Sequence, residues 1–246
     1  MSAITFPDFP EIECRQSVPR GGIKYHPDLV QGSDDWLAAR RGLLTASEMK
    51  LIVTPTLKIA DNDKTRAHLY ELLAQRITKY VEPYYISEDM LRGQEDEIDA
   101  RILYAQNYAP VQDMGFITND EFGFPIGFSP DGLVGDDGFI ECKSRRQKFQ
   151  IETIIEDAAP VDYGIQVQTG FVVSKRKWCD FISYSGGLPM VTVRVLPNPE
   201  IMAAIVAAAT AFEAKLIDKL TKYNERLASS ARLIPTERKI IQEMFA

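Results

Sequence analysis

Two acidic residues and a lysine, Asp131, Glu141 and Lys143, lie close together in the middle of the chain. Between them, Gly135-Asp-Asp-Gly138 is a strong turn signal with β-prone runs on both sides, which predicts a β-hairpin. If the hairpin turns around Asp136, Asp131 lies opposite Glu141 with the Cβ atoms about 5 Å apart. Glu141 and Lys143 are two positions apart on one strand, so their side chains share a face.

A face with two carboxylates and an ammonium group suits a hard divalent cation. The two acids would repel each other without a cation between them, and oxygen ligands favour Mg2+ over Zn2+. A bound Mg2+ would activate a water molecule for attack on a phosphate, and Lys143 would orient that water. The alternative is an exposed hairpin with cross-strand ion pairs. Apolar neighbours such as Phe139 and Ile140 predict instead a buried site, where acids are seldom without a role.

The composition indicates a globular protein and does not by itself favour a nucleic-acid ligand. The chain has 246 residues, of which 45% are apolar and 26% are charged, enough for one domain with a sizeable core. Its formal net charge is -7, whereas a nonspecific phosphate binder is expected to be basic. Clusters of Lys and Arg occur at 40–41, 143–148 and 175–177, although most such runs are solvated surface.

The sequence also contains no signal for a membrane or an oxidising compartment. It lacks the run of about 18 apolar residues that a membrane span needs, and the N-terminus lacks a signal-peptide pattern. We therefore expect a cytoplasmic protein with no membrane partner. Cys14, Cys142 and Cys179 are scattered without CxxC spacing, which predicts buried, reduced thiols.

The spacing of apolar, capping and turn residues predicts an α/β protein with a long C-terminal helix. Residues 1–32 are rich in Pro and Gly and predict an extended arm. Helices are predicted at 34–41, 48–53, 63–81, 87–107, 160–173, from 198 to about 227, and at 235–245. Strands are predicted within 114–143, including 124–128 and 139–143, and at 178–184 and 190–196.

Four segments occur in the order seen in the phage lambda exonuclease family, the YqaJ-type viral recombinases of the PD-(D/E)xK nuclease superfamily. They are Trp36-Leu-Ala-Ala-Arg-Arg-Gly-Leu-Leu-Thr-Ala-Ser-Glu48, Arg92-Gly-Gln-Glu-Asp-Glu97, Gly127-Phe-Ser-Pro-Asp-Gly132 and Tyr163-Gly-Ile-Gln-Val-Gln168. Pro130-Asp131 followed by Glu141-Cys142-Lys143 resembles the PD-(D/E)xK motif itself. The resemblance covers roughly residues 33 to 196. It implies a restriction-endonuclease-like core, a central mixed β-sheet flanked by helices, in a nuclease domain at 33–230 with a helical tail at 231–246.

The resemblance also implies roles for individual residues. Asp131 and Glu141 would be metal ligands together with the main-chain carbonyl of Cys142, and Glu97 would face the metals from its helix. Lys143 would be the catalytic lysine. The metal would be Mg2+, with two ions in each active site, and Mn2+ could substitute for it.

Three further residues match positions outside the metal centre. Arg40 and Ser47 match residues that grip the 5'-phosphate at the strand end, a role that suits a guanidinium and a hydroxyl at a helix N-terminus. Gln168 matches a glutamine that contacts the active site. Trp36 is expected in the core, with base stacking as the alternative.

For function, the resemblance implies a Mg2+-dependent 5'-to-3' exonuclease. Such an enzyme would digest one strand of linear double-stranded DNA and leave 3' single-stranded overhangs for homologous recombination by strand annealing. Double-stranded DNA ends, a homotrimer ring and a single-strand annealing protein are the implied partners. Two alternatives stay open: a PD-(D/E)xK endonuclease or RecB-like nuclease without end dependence, and a catalytically inactive DNA-end-binding module. The arm and the region after Leu196 depart from the family pattern.

Overall fold

The computed structural model describes residues 21–83, 87–229 and 232–238. The α-helices in these ranges are α1 (Asp34–Arg40), α2 (Asp63–Thr78), α3 (Glu88–Asn107), α4 (Gln147–Glu156), α5 (Gly164–Ser174) and α6 (Pro199–Ser229). The strands are β1 (Ile23–His26), β2 (Leu44–Thr45), β3 (Phe116–Asn119), β4 (Ile126–Phe128), β5 (Gly132–Val134), β6 (Gly138–Ser144), β7 (Trp178–Tyr184) and β8 (Val191–Val195). Short 3-10 helices lie at Met49–Leu51 and Val161–Tyr163.

The strands form two four-stranded mixed sheets. The first has the order β1-β3-β4-β2, in which only β2 and β4 are parallel. The second has the order β5-β6-β7-β8, in which only β6 and β7 are parallel. The chain passes from one sheet to the other at 129–131, where Pro130 cannot donate a ladder hydrogen bond.

Alternation along β6 assigns its two faces to different layers of the fold. Phe139 packs edge-on against Phe128 and Phe171, with ring centroids 5.1 Å apart in each pair, on the side covered by α5. Ile140 and Cys142 belong to a smaller cluster on the opposite side, which α3 covers. Glu141 and Lys143 therefore share the face of Phe139, as a period of two requires.

The starts of α1, α3 and α6 carry capping side chains. The Ser87 hydroxyl accepts from the backbone N–H of Met90 at 3.3 Å, and Ser33 caps α1 in the same way. Asn198 Oδ1 accepts from the first-turn N–H groups of α6 at 3.0 and 3.2 Å. The predicted apolar stripe of α6 then packs on the core through Ile205, Ala208, Phe212 and Leu216.

The predicted α/β class with helices on a mixed sheet and a long C-terminal helix is confirmed. The helix predicted at 48–53 is only a 3-10 turn, and α4 lies where no element was predicted. Residues 235–238 are not helical, and the rest of the predicted helix at 235–245 lies outside the described residues. Of the predicted arm, 1–20 lies outside them too, whereas Ile23–His26 pairs with β3 as a strand.

Two further expectations concern the thiols and the membrane. Cys142 and Cys179 are buried free thiols, and Cys14 lies outside the described residues. None of the helices in the described part of the chain combines the length and apolar character of a membrane span.

Candidate active site

The hairpin of β5 and β6 has the predicted register. Gly132 pairs with Ile140 and Val134 with Gly138, so each pair of numbers adds up to 272, as the turn around Asp136 requires. Asp131 continues this ladder because its N–H donates to the Ile140 carbonyl at 3.3 Å. Asp131 therefore lies opposite Glu141, and both acids are buried, with 9% and 1% of their surface exposed.

Each carboxylate of the pair has a local partner. The Cys142 N–H donates to Asp131 Oδ2 at 2.5 Å, and Lys143 Nζ donates to Glu141 Oε1. Gln166 Nε2 reaches from α5 and donates to the same Glu141 oxygen at 2.5 Å. The other oxygen, Oε2, is buried and has no hydrogen-bond partner among the described residues.

Glu97 reaches this cluster from α3. Burial and repulsion by Asp131 raise the pKa of Glu97 from 4.5 to about 8, with a smaller contribution from Glu141. The acid is thus half-buried beside the other carboxylates and is not a solvated helical acid. Arg101, one turn further along α3, forms its ion pair with Asp113.

The remaining pKa shifts reflect crowding of like charges in a buried place. Burial raises the pKa of Glu141 from 4.5 to about 7; attraction by Lys143 opposes this rise, and repulsion by Asp131 adds to it. Burial also raises the pKa of Asp131. For Lys143, burial alone would lower the pKa, but attraction by Glu141 and Asp131 outweighs it and the pKa rises. Lys143 is therefore a charged donor at neutral and alkaline pH.

The cluster offers oxygen ligands but is not an assembled metal cage. Among the described residues, no three His, Cys, Asp or Glu side chains converge closely enough to hold an ion. The hydrogen bonds explain this, because Asp131 Oδ2 is turned towards the Cys142 N–H and Glu141 Oε1 towards Lys143. The buried, unpartnered Oε2 of Glu141 is the oxygen that most needs a positive partner.

A second group consists of Trp36, Arg40 and Ser47, which we call the strand-end pocket after the role that the resemblance implies. The Arg40 guanidinium lies over the Trp36 ring, 4.2 Å from its centroid, and Nη2 donates to Thr45 Oγ1 at 3.3 Å. Ser47 Oγ is also 3.3 Å from Thr45 Oγ1. Trp36 is 8% exposed, which fits the expected packing role better than base stacking.

The strand-end pocket is connected to the carboxylate cluster through Ser129. Trp36 Nε1 donates to Ser129 Oγ at 3.1 Å, and Ser129 lies two residues before Asp131. Parallel pairing of Thr45 with Gly127 also holds the segment of Arg40 and Ser47 next to the strand that leads to Ser129. The structure thus brings Arg40 and Ser47 to the edge where the hairpin begins.

Gly42 and Arg76 fix the turn that follows Arg40. Gly42 has a positive φ of 69°, and a Cβ at this position would lie 2.6 Å from Arg76 Cγ, so only glycine fits. Arg76 Nε donates to the Gly42 carbonyl at 2.7 Å, while its two Nη atoms bind Glu213 of α6 at 2.6 and 2.8 Å. Two long helices therefore support the segment that carries Arg40.

Gln168 differs from its expected position. Its amide nitrogen donates to the Leu196 carbonyl at 2.9 Å, and its oxygen accepts from the Asn198 N–H at 2.7 Å, so it anchors the start of α6. Gln166 occupies the place at Glu141 that the resemblance assigned to Gln168. The reason is helical geometry, because residues two apart on a helix point in nearly opposite directions.

Sequence reasoning also missed three other polar residues near these groups. Gln166, Thr45 and Ser129 all lie within the segments that carry the resemblance, but nothing in their types or spacing set them apart. In the cluster at 175–177, the two lysines pair with surface acids, Lys175 with Glu121 and Lys177 with Asp137. Arg176 is half-buried and donates to two carbonyls of the hairpin turn at 2.9 and 2.6 Å, so it supports the turn between β5 and β6.

Known proteins share this arrangement of elements. An alkaline exonuclease from Laribacter hongkongensis, LHK-Exo, is 31% identical, with a TM-score of 0.71 over 80% of this chain and 98% of that one. The structure of LHK-Exo in complex with dAMP gives 32% identity and a TM-score of 0.72 with the same coverage. A phage-related exonuclease from Haemophilus somnus 129PT is 14% identical, with a TM-score of 0.51 over 72% of this chain and 96% of that one, and shows likeness of fold alone.

These likenesses confirm the restriction-endonuclease-like core expected from the sequence. No curated protein matches the chain. The family model of the YqaJ-like viral recombinase domain matches residues 35–177, more than half of the sequence. Together with the identity to LHK-Exo, this match shows that the chain belongs to the YqaJ-like viral recombinase family.

Proposed function

We propose that the protein is a Mg2+-dependent exonuclease that digests one strand of linear double-stranded DNA in the 5'-to-3' direction. The other strand is left as a 3' single-stranded overhang for recombination by strand annealing. Family membership and likeness to alkaline exonucleases support a DNA exonuclease. The observation that carries the finer proposal is that a buried carboxylate and lysine cluster lies next to an arginine pocket.

The carboxylate cluster fits Mg2+ by its chemistry. Asp131, Glu141 and Glu97 supply hard oxygen ligands, and the main-chain carbonyl of Cys142 would be a fourth. A cation would also satisfy the buried Oε2 of Glu141. When bound, Mg2+ lowers the pKa of a water molecule and stabilises negative charge on the phosphate. Two ions in each site, with Mn2+ as a substitute, are part of this proposal.

Lys143 acts as a charged donor in the proposed reaction. Attraction by Glu141 and Asp131 raises its pKa, which favours the protonated ammonium form. The ammonium can orient the attacking water and stabilise negative charge on the phosphate oxygens. Gln166 contributes indirectly, because its bond to Glu141 Oε1 fixes the direction of that carboxylate.

The strand-end pocket supplies the preference for an end. A guanidinium stacked on Trp36 and a neighbouring hydroxyl are suited to the doubly charged terminal phosphate. Hydrolysis that breaks the bond from phosphorus to the 3'-oxygen releases a nucleoside 5'-monophosphate and leaves a new 5'-phosphate on the strand. LHK-Exo has been crystallised with such a mononucleotide, dAMP. The new end can therefore enter the same pocket.

A ring of three copies around the duplex would reconcile this substrate with the net charge of -7. A channel that faces Lys and Arg inward can focus a positive potential whatever the total charge. The homotrimer and a single-strand annealing protein as partner are proposals carried over from the family resemblance.

Digestion of labelled duplexes tests the proposal. A linear duplex labelled at one 5' end should release labelled mononucleotide early in the presence of Mg2+, whereas a 3' label on the same strand should be released last. Covalently closed circles should resist digestion. Asp131→Asn should abolish release, and Asp136→Asn, an exposed turn acid in the same hairpin, should not. Equal cutting of closed circles would favour the endonuclease alternative and reject the end-directed reaction.

A further inference from the structure

Hydrogen bonds continue from the strand-end pocket to two residues with no assigned role, Thr45 and Glu48. Thr45 is buried, and its Oγ1 lies 3.3 Å from both Arg40 Nη2 and Ser47 Oγ. The same oxygen lies 2.7 Å from Glu48 Oε2. Thr45 therefore contacts both polar members of the pocket.

The direction of these hydrogen bonds follows from what each group can do. A guanidinium can only donate and an ionised carboxylate can only accept, so Thr45 accepts from Arg40 and donates its single hydrogen to Glu48. Ser47 must then be the donor in its contact with Thr45. Two donors thus converge on one buried oxygen. Arg40 keeps further N–H groups for a phosphate, and the Ser47 hydroxyl can turn its single hydrogen from Thr45 to the phosphate when one binds.

Glu48 needs an explanation because an acid beside an anion pocket weakens anion binding by repulsion. Its hydrogen bond to Thr45 provides one, since a hydroxyl that donates to a carboxylate is polarised and becomes a stronger acceptor. Glu48 thereby strengthens the hold of Thr45 on Arg40.

A buried histidine lies behind Glu48. The side chain of His68 is 1% exposed, and its Nδ1 lies 3.2 Å from Glu71 Oε2, so Nδ1 carries a hydrogen. Its Nε2 faces Glu48 Oε2 at 4.0 Å and has no hydrogen bond among the described residues. The imidazole ring therefore packs beside the Glu48 carboxylate.

We propose that Thr45 and Glu48 are positioning residues that hold Arg40 and Ser47 in the arrangement that receives a terminal 5'-phosphate. This inference rests on the proposed function of the strand-end pocket. Holding a long arginine side chain in place before binding reduces the entropy lost when the phosphate arrives. Loss of this support should weaken the preference for phosphorylated ends about 3- to 10-fold.

The test compares kcat/KM on linear duplexes that carry either a 5'-phosphate or a 5'-hydroxyl. Thr45→Val and Glu48→Ala should lower the ratio of the two values about 3- to 10-fold, through a higher KM for the phosphorylated duplex. Thr45→Ser keeps the hydroxyl and Glu48→Gln keeps an acceptor, so both should retain most of the ratio. Activity on the 5'-hydroxyl duplex should not change, which separates positioning from a general loss of structure.

Two controls separate this inference from the function on which it rests. Glu71→Ala removes an exposed acid on the far side of His68 and should leave the ratio unchanged. Arg40→Ala should remove the preference altogether. If Arg40→Ala removes the preference for the 5'-phosphate while Thr45→Val and Glu48→Ala do not lower it, the positioning role is wrong and the proposed role of the pocket is kept. If Arg40→Ala has no effect on the ratio, the pocket and the inference both fail.

Discussion

Replacement of Glu141 by Gln should stabilise the protein in EDTA while abolishing its nuclease activity. Glu141 is 1% exposed, faces Asp131 and has an oxygen without a hydrogen-bond partner among the described residues. Its ionised form is therefore unfavourable in the fold when no cation compensates it. The amide of glutamine keeps the shape and can still accept from Lys143, but it carries no charge.

The magnitude follows from the pKa. Below pH 4.5 Glu141 is protonated in both the folded and the unfolded chain, so it does not affect stability. Between pH 4.5 and about 7 the unfolded chain loses this proton first, so a rising pH favours unfolding. Above pH 7 the loss of stability no longer changes with pH, and the rise of the pKa from 4.5 to about 7 corresponds to about 3 kcal/mol. Part of this gain is lost because the new NH2 group lacks a partner, so about 3 kcal/mol is an upper limit.

Chemical and thermal denaturation in EDTA check this value. At pH 8.5 Glu141→Gln should unfold with a free energy up to about 3 kcal/mol higher than the wild type, or a Tm higher by roughly 6–12 °C. At pH 5.5 the difference should shrink to about 1 kcal/mol. Mg2+ should stabilise the wild type and not the variant.

The matched control is Glu121→Gln, which removes an exposed acid that also contacts a lysine, Lys175. It should change stability by less than about 0.5 kcal/mol at either pH. A Glu141→Gln protein that is less stable than the wild type at pH 8.5, or whose gain is the same at both pH values, would contradict the argument from buried like charges.

Three shorter predictions concern the residues around the cluster. Lys143→Met should lower kcat about 10²- to 10³-fold with little change in KM, measured as release of acid-soluble nucleotides, because one charged donor is lost. Gln166→Leu should lower kcat without lowering Tm. Gln168→Leu should leave kcat unchanged and lower the free energy of unfolding by about 1–3 kcal/mol, because the Leu196 carbonyl and the Asn198 N–H at the start of α6 lose their partner. Arg76→Met should cost more stability in urea than the double variant with Glu213→Met, because only the single variant leaves a partly buried acid unpaired.

The hairpin of the site could be predicted from sequence because its register depends on local features. The turn signal at 135–138 fixes the loop, and once the loop is fixed every pair along the two strands follows. Opposition of Asp131 and Glu141, and the shared face of Glu141 and Lys143, are consequences of the same register. Local patterns likewise predicted the start of α3 at the Ser87 cap and of α6 at the Asn198 cap.

Contacts between distant elements could not be predicted in this way. No sequence pattern predicts that Glu97 of α3 lies beside the hairpin, and only the family resemblance indicated it. The resemblance pointed to Gln168, whereas Gln166 is the glutamine that contacts Glu141. The rotation of α5 about its axis decides which of the two faces Glu141. This rotation is set by tertiary packing, with Val167 and Phe171 buried in the core.

The division of the strands into two sheets has a local cause, but the sequence alone does not show it. β4 and β5 are three residues long, and the segment between them contains Pro130, so the ladder cannot continue through it. A sequence pattern of β-prone runs broken by Gly and Pro is compatible with one sheet or two. Phe139 of the second sheet packs against Phe128 of the first sheet and against Phe171 of α5, and this packing joins the two sheets.

This crossing between the sheets also connects the strand-end pocket to the carboxylates. Ser129 contacts Trp36, over whose ring Arg40 lies, and Asp131 lies opposite Glu141 in the hairpin. Two peptide units therefore separate the residue that contacts the strand-end pocket from the first carboxylate. Two residues span at most about 7 Å, comparable to the distance between neighbouring phosphates of a DNA strand. Under the proposed function, this short connection favours cleavage close to a phosphate held at Arg40 over cleavage far from it. Lengthening the segment at 129–131 should therefore shift the position of cleavage, measured as the size of the released product.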